Sequence, residues 1–150
     1  MDTYSLIIKT AGFNDIDDLL PLLEQLFAIE EDFIFNGPVQ RRGLQMMLDG
    51  CGKHRVVKTA WMAGRLIGMC TAQTRISTAQ GSITAVIEDL VVDREYRGRG
   101  IGEQLIRAIE AWACKLDICH LSLLADKTNT PALRFYEAGG YTTTRLVCLA

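Results

Sequence analysis

The chain is poor in histidine, proline and aromatic side chains. It carries two histidines, three prolines and 7% aromatics. Neither His54 nor His120 has an obvious acidic partner in the sequence, so no zinc centre or histidine-based triad is expected. The five cysteines are odd in number and lack metal-type spacing. Cys114 and Cys119 have four residues between them, which is not a Cys-x-x-Cys redox pair. Reduced thiols of this kind fit the cytoplasm. No apolar run reaches the roughly 20 residues of a membrane crossing, and Met1-Asp2-Thr3-Tyr4 does not read as a signal peptide. The expectation is a cytoplasmic protein without a membrane partner. A net charge of −2 gives no reason to expect nucleic acid. No repeat, linker or low-complexity stretch divides the 150 residues, which suffice for one domain, 1–150, with its own core.

What the chain does have is a glycine-rich run, Arg97-Gly98-Arg99-Gly100-Ile101-Gly102. It follows an apolar stretch, Ala85 to Val92, and opens a helical pattern, Ile101 to Lys115. Three alternating glycines remove the Cβ atoms that would hold a ligand off the backbone. They leave a row of N–H groups at a helix start, which attracts phosphate through donors and dipole together. The run reads as a pyrophosphate cradle, or as a tight strand-to-helix turn with solvated arginines. It is not a P-loop, because Gly102 is followed by Glu103 and Gln104. It is not the dinucleotide fingerprint, because Glu103 stands where a small residue must pack and the loop comes after consecutive strands.

Periodicity supplies the layout. Tyr4 to Lys9 reads as a strand. Asn14 or Asp15 caps a first helix with Ile16, Leu19, Leu20, Leu23, Leu26 and Phe27 on its apolar side, Pro21 marking its first full turn or a kink. Gly37-Pro38 begins a second, short helix. His54 to Trp61, Leu66 to Ile76 and Ile83 to Val92 are consecutive strands, turned at Ala63-Gly64 and Gln80-Gly81. After the third helix come a short strand, Leu121 to Leu124, a helix from Pro131 to Glu137 and a last strand, Tyr141 to Leu149.

The strand before the glycine loop breaks its own alternation. Ile83, Ala85 and Ile87 hold one parity, Leu90 and Val92 the other. A strand with one buried face changes parity only by inserting a residue, so a β-bulge is expected at Glu88-Asp89 unless both faces are buried. The two carboxylates at the fault are costly if buried alone. They are either surface or ion-paired acids, or they face an amine whose proton must be removed.

The segment Leu90 to Gly102 resembles the acetyl-CoA-binding motif of the GNAT N-acetyltransferase superfamily, Arg/Gln-x-x-Gly-x-Gly/Ala, met by Arg97, Gly100 and Gly102. Asn129 to Tyr141 resembles the later motif of the same superfamily, in which an Asn opens a helix and a Phe-Tyr pair precedes a Gly-aromatic turn. The two motifs lie within residues 85–141; the first 50 residues match only in pattern. Arg94 stands where many relatives carry Pro. Ile87 to Val92 is also similar to diamine and polyamine acetyltransferases.

The resemblance implies an α/β (α+β) GNAT fold: a central, mostly antiparallel mixed sheet of six to seven strands, splayed where acetyl-CoA binds and flanked by about four helices. It implies acetyl-CoA as co-substrate, without metal, held by Leu90, Val91, Val92, Arg97, Gly98, Arg99, Gly100, Ile101, Gly102 and Asn129. Asn129 equally suits a helix cap. It implies Glu88 as general base, Asp89 as a substrate contact, and Tyr136 as the acid that protonates the departing thiolate. The acceptor enters between the first two helices and the central strands, beside the lip Glu30-Glu31-Asp32 with Phe33, where Glu31 and Phe33 are candidate contacts. The acids point to a small basic amine that attacks directly in a ternary complex. A protein N-terminal acetyltransferase and a non-catalytic acyl-CoA-binding module remain alternatives. The β-branched stretch Thr142 to Val147 can pair across a homodimer.

Overall fold

The structure is a computed structural model that describes residues 5–30, 32–50 and 52–150. A five-stranded sheet runs in chain order: β1 (Ile7–Thr10), β2 (Arg55–Met62), β3 (Arg65–Ser77), β4 (Ser82–Val92) and β5 (Leu121–Leu123). The first four strands are antiparallel to their neighbours, and β5 joins β4 in parallel. The β2–β3 turn, Ala63-Gly64, has both residues at positive φ, 52° and 75°. That is the geometry whose twist matches a two-residue hairpin.

Two helices cover each face. On one, α1 (Ile16–Ile29) and α2 (Gly37–Leu48) bury Leu19, Leu22, Leu23, Leu26 and Leu44 against Val57, Met69 and Val91. On the other, α3 (Ile101–Lys115) buries Leu105, Ile106 and Ile109 against Val56, Ala60, Ile67, Ala85 and Ile87, and α4 (Thr130–Ala138) adds Phe135 and Tyr136 at its edge. Pro21 lies inside α1 on an exposed position, where its missing N–H is turned to solvent. Leu22, which the sequence pattern leaves out of the apolar stripe, is 2% exposed.

Two expectations need correction. Tyr141 to Leu149 forms no strand, and the sheet has five strands rather than six or seven among the described residues. β-propensity measures fit to a pleated, half-buried surface, and this segment has no ladder partner: Leu146, Val147 and Leu149 are all exposed. The expected start of the first strand at Tyr4 lies outside the described residues.

Candidate active site

The parity fault in β4 is a bulge. Thr71 pairs with Glu88 and Met69 with Val91, so two steps along β3 are matched by three along β4. The extra residue is absorbed at Asp89, whose φ of 50° is left-handed. Aspartate tolerates that conformation better than most residues. As a result Ala85 and Ile87 face the α3 side, Leu90 and Val92 pack there too, and Glu88 and Val91 face α1 and α2.

The bulge sits where the sheet opens. β4 and β5 pair only through 85–87 and 121–123. Beyond them β4 continues beside β3 alone. The Asp93 N–H donates to the Ile67 carbonyl of β3 at 2.7 Å. By alternation, Leu90 and Val92 present their backbone groups to the opposite side, into the opening. The Val92 carbonyl there accepts a hydrogen bond from Arg97 Nε at 2.8 Å.

The turn that follows is anchored from within. Asp93, 7% exposed, accepts from the Glu95 N–H at 3.0 Å and lies 3.4 Å from both Gln25 Nε2 and Arg65 Nη2. Gln25 in turn accepts the Arg94 N–H at 3.1 Å. Gly100 caps α3 at φ 78°, and a Cβ added there or at Gly98 would meet nothing within 4 Å. The loop is therefore open above Gly98 and Gly100, and Arg97 and Arg99 are exposed beside it. Gly102 is different: a Cβ there would lie 3.4 Å from the Phe135 ring. Asn129 caps α4, its Oδ1 accepting the Ala132 N–H at 3.2 Å, which leaves the side-chain amide as its remaining donor.

On the α1/α2 face, Glu88 and Asp89 line a cavity of about 550 Å³ together with Leu23, Phe27, Met47 and Gln73. Glu88 is exposed and Asp89 half-buried. Asp89 Oδ2 accepts a hydrogen bond from Thr71 Oγ1 at 3.1 Å. Burial pushes its carboxyl above the usual range, the Thr71 bond opposes this, and the neighbouring Glu88 adds to it. Glu30, at the end of α1, is also raised, by burial first and then by Asp89, Asp126, Asp32 and Glu88. One carboxylate thus feels four others, which come from the α1 terminus, the bulge and the β5–α4 loop. Phe33 stacks on Phe27 at 5.4 Å and so extends the apolar wall outward. Glu31 lies outside the described residues.

Tyr136 is not on that cavity. It lines a smaller one, about 310 Å³, between α3 and α4 with Phe135, Gly139 and Tyr141. The two regions meet through Cys70 and Glu30: burial raises the Tyr136 phenol to about 12, with Cys70, Glu30 and Tyr141 contributing. A phenol so shifted keeps its proton and is a donor. The structure thus joins Glu88, Asp89 and Glu30, and sets Tyr136 on the other side of the Cys70 strand. Glu30 belongs to the lip expected from the sequence, whereas Asp126 was hidden among the charged residues of its loop; only the folded chain brings them together. Among the described residues no cluster of histidine, cysteine, aspartate or glutamate could hold a metal. No helix among them is long and apolar enough to cross a membrane.

Comparison with known proteins gives this geometry its context. The chain is 34% identical over 77 residues to GCN5-related N-acetyltransferase 2 of Arabidopsis thaliana. It is 33% identical over 58 residues to the streptothricin acetyltransferase of Escherichia coli. These segments are 51% and 39% of the chain but only 27% and 33% of those two proteins. The aminoglycoside N-acetyltransferase AAC(6')-Iy, solved in complex with CoA, superposes with a TM-score of 0.85 at 20% identity, over 98% of this chain and 94% of that one. The AAC(6')-Ih enzyme of Acinetobacter baumannii does so with a TM-score of 0.81 at 21% identity, over 97% of both. These likenesses establish a shared fold. Residues 19–141 match the acetyltransferase (GNAT) family, and the chain belongs to that family.

Proposed function

We propose that this protein moves an acetyl group from acetyl-CoA to the primary amine of a small basic acceptor, by direct attack with both substrates bound. The observation that carries the reading is the bulge, which sets a half-buried carboxylate and its neighbour at the wall of an apolar cavity, with Glu30 close by. Acetyl-CoA supplies an activated acyl group. Gly98, Gly100, Ile101 and Gly102 with Arg97 and Arg99 receive its pyrophosphate, and Leu90 and Val92 offer backbone partners along the opening beyond β5.

The acids deal with the amine's proton. At neutral pH an alkyl amine is almost wholly ammonium, because its reference pKa is about 10. The field of Glu30, Asp32, Glu88, Asp89 and Asp126 attracts that cation. Glu88, exposed, makes the first contact. Asp89, with its raised pKa, is the better proton acceptor, directly or through one water. Tyr136 holds a proton for the departing sulfur. The likeness to an aminoglycoside N-acetyltransferase and a streptothricin acetyltransferase is a reason to include an aminoglycoside among the acceptors tried.

The test is a panel of amines (diamines, polyamines, amino acids, an aminoglycoside and a peptide with a free N-terminus) incubated with acetyl-CoA while free thiol is read. Release with small amines supports the reading. Release only with the peptide gives protein N-terminal acetylation, and CoA binding without release gives a binding module.

A further inference from the structure

The cavity has a second end, away from the acid pair. Arg55 opens β2 and pairs with Gln73 on β3, which pairs with Val86 on β4. Glu88 lies two residues further along β4 and faces the same side. Two strand spacings and two residues put the Arg55 and Glu88 Cα atoms about 12 Å apart. Arg55, Gln73, Glu88 and Asp89 all line the same cavity.

The Arg55 guanidinium is held in place but not satisfied. Its Nη2 donates to the Asp49 carbonyl at 2.9 Å. It lies against Gly50, where a Cβ would be 2.6 Å from Nη2. Its Nε is buried and has no hydrogen-bond partner, the one such side-chain atom among the described residues. Arg55 forms none of the ion pairs recorded among those residues. Asp49 also lines the cavity, yet its exposed carboxylate is not paired with Arg55. The residue as a whole is only half-buried and its Nη1 has no hydrogen bond among the described residues, so an oxygen-bearing ligand in the cavity can take the outer guanidinium donors; charged oxygens do so best.

We propose that Arg55, with Gln73, binds an anionic oxygen group on the acceptor. The acceptor is then an amine that also carries a carboxylate or similar group, a lysine-like chain length from the reacting nitrogen. Its ammonium end meets Glu88 and Asp89 and its oxyanion end meets Arg55. A wholly cationic acceptor would bring like charge to the guanidinium. The inference rests on the reading that the amine lies against the bulge acids.

Lysine and cadaverine test it, since they differ only by the carboxylate. Binding of each to the CoA-loaded protein is measured by calorimetry, and turnover by thiol release with acetyl-CoA. Lysine is expected to bind about 10- to 100-fold more tightly. Arg55→Met should lower the lysine-to-cadaverine ratio by about tenfold or more, and Arg55→Lys should retain part of it. Gly50→Ala pushes the guanidinium aside without removing it and should lower the same ratio, which keeps the test alive if Arg55→Met fails to fold. Equal or tighter binding of cadaverine overturns the proposal. So does a loss in the Arg55 variants that is the same for both ligands. Lysine binding without thiol release would keep the Arg55 site and remove acetyl transfer. Equal turnover of both amines with equal affinity would keep acetyl transfer and remove the Arg55 site.

Discussion

At position 89 one side chain serves two opposed demands. Burial raises the Asp89 carboxyl above its reference value of 3.8. The folded state therefore holds that proton more tightly than the unfolded chain does. The contribution to stability is full below the unfolded pKa and is lost as pH rises through the folded one, so at neutral pH the ionised group is a burden. Asp89→Asn removes the charge, suits the left-handed backbone and still accepts from Thr71. We expect it to raise the melting temperature at pH 7, by about 2–4 °C for each kcal/mol recovered, and to lower kcat/KM. The stability gain should shrink as pH falls toward 4. In the wild type the same raised pKa is expected to shift the acidic limb of kcat/KM upward, as a pH–rate profile would show. Glu88→Gln and Asp89→Asn, singly and together, should lose most at neutral pH and recover in part as pH rises and free amine becomes available. Profiles of unchanged shape and height in all three variants would remove both acids from proton transfer. Tyr136→Phe keeps the ring and removes the proton. It should lower kcat by about 10²–10⁴ with little change in the acetyl-CoA KM. A loss under threefold in single-turnover transfer would make Tyr136 a packing residue.

Elements differ in how plainly the sequence announces them. The bulge in β4 was legible because alternation is strict: apolar residues at 83, 85 and 87 and then at 90 and 92 leave one residue over. The turn into α3 was legible because alternating glycines before an amphipathic helix suit left-handed backbone, which Gly98 and Gly100 adopt at φ 76° and 78°. The expected last strand, 141–149, was misread because β-branched residues state a preference but cannot supply a neighbouring strand. The cavity was illegible for a related reason. Arg55, Gln73 and Glu88 come to one wall only through the register of three strands, and Glu30 meets Asp126 only when two loops close on the same side. At the α3 start, Gly100 sits at φ 78° with open space above it. Gly100→Val strains the turn and fills the space that a pyrophosphate needs. CoA affinity should fall at least about tenfold by calorimetry, while the melting profile stays cooperative. Unchanged affinity would dismiss the cradle.

Across the whole molecule the near-neutral total hides a separation of charge. Arg94, Arg97 and Arg99 gather at the α3 loop, and four carboxylates gather around Glu30. In the proposed reaction each substrate meets the sign it lacks. Screening lengths fall from about 30 Å at 0.01 M salt to about 8 Å at 0.15 M. The KM of a cationic amine should therefore rise across that range, whereas a flat response would assign the acids to local contacts alone. Cys70 lies on β3 beside the bulge. It is 0% exposed, with its Sγ 3.7 Å from the Glu88 carbonyl, and burial pushes its thiol well above the ordinary range. A thiolate there would exchange acyl groups with any thioester brought close, trapping the acetyl group on the protein as a slow-turnover adduct. The seal around Cys70 keeps it protonated and inert. For the proposed reaction this means that Cys70 offers the acetyl thioester no competing nucleophile.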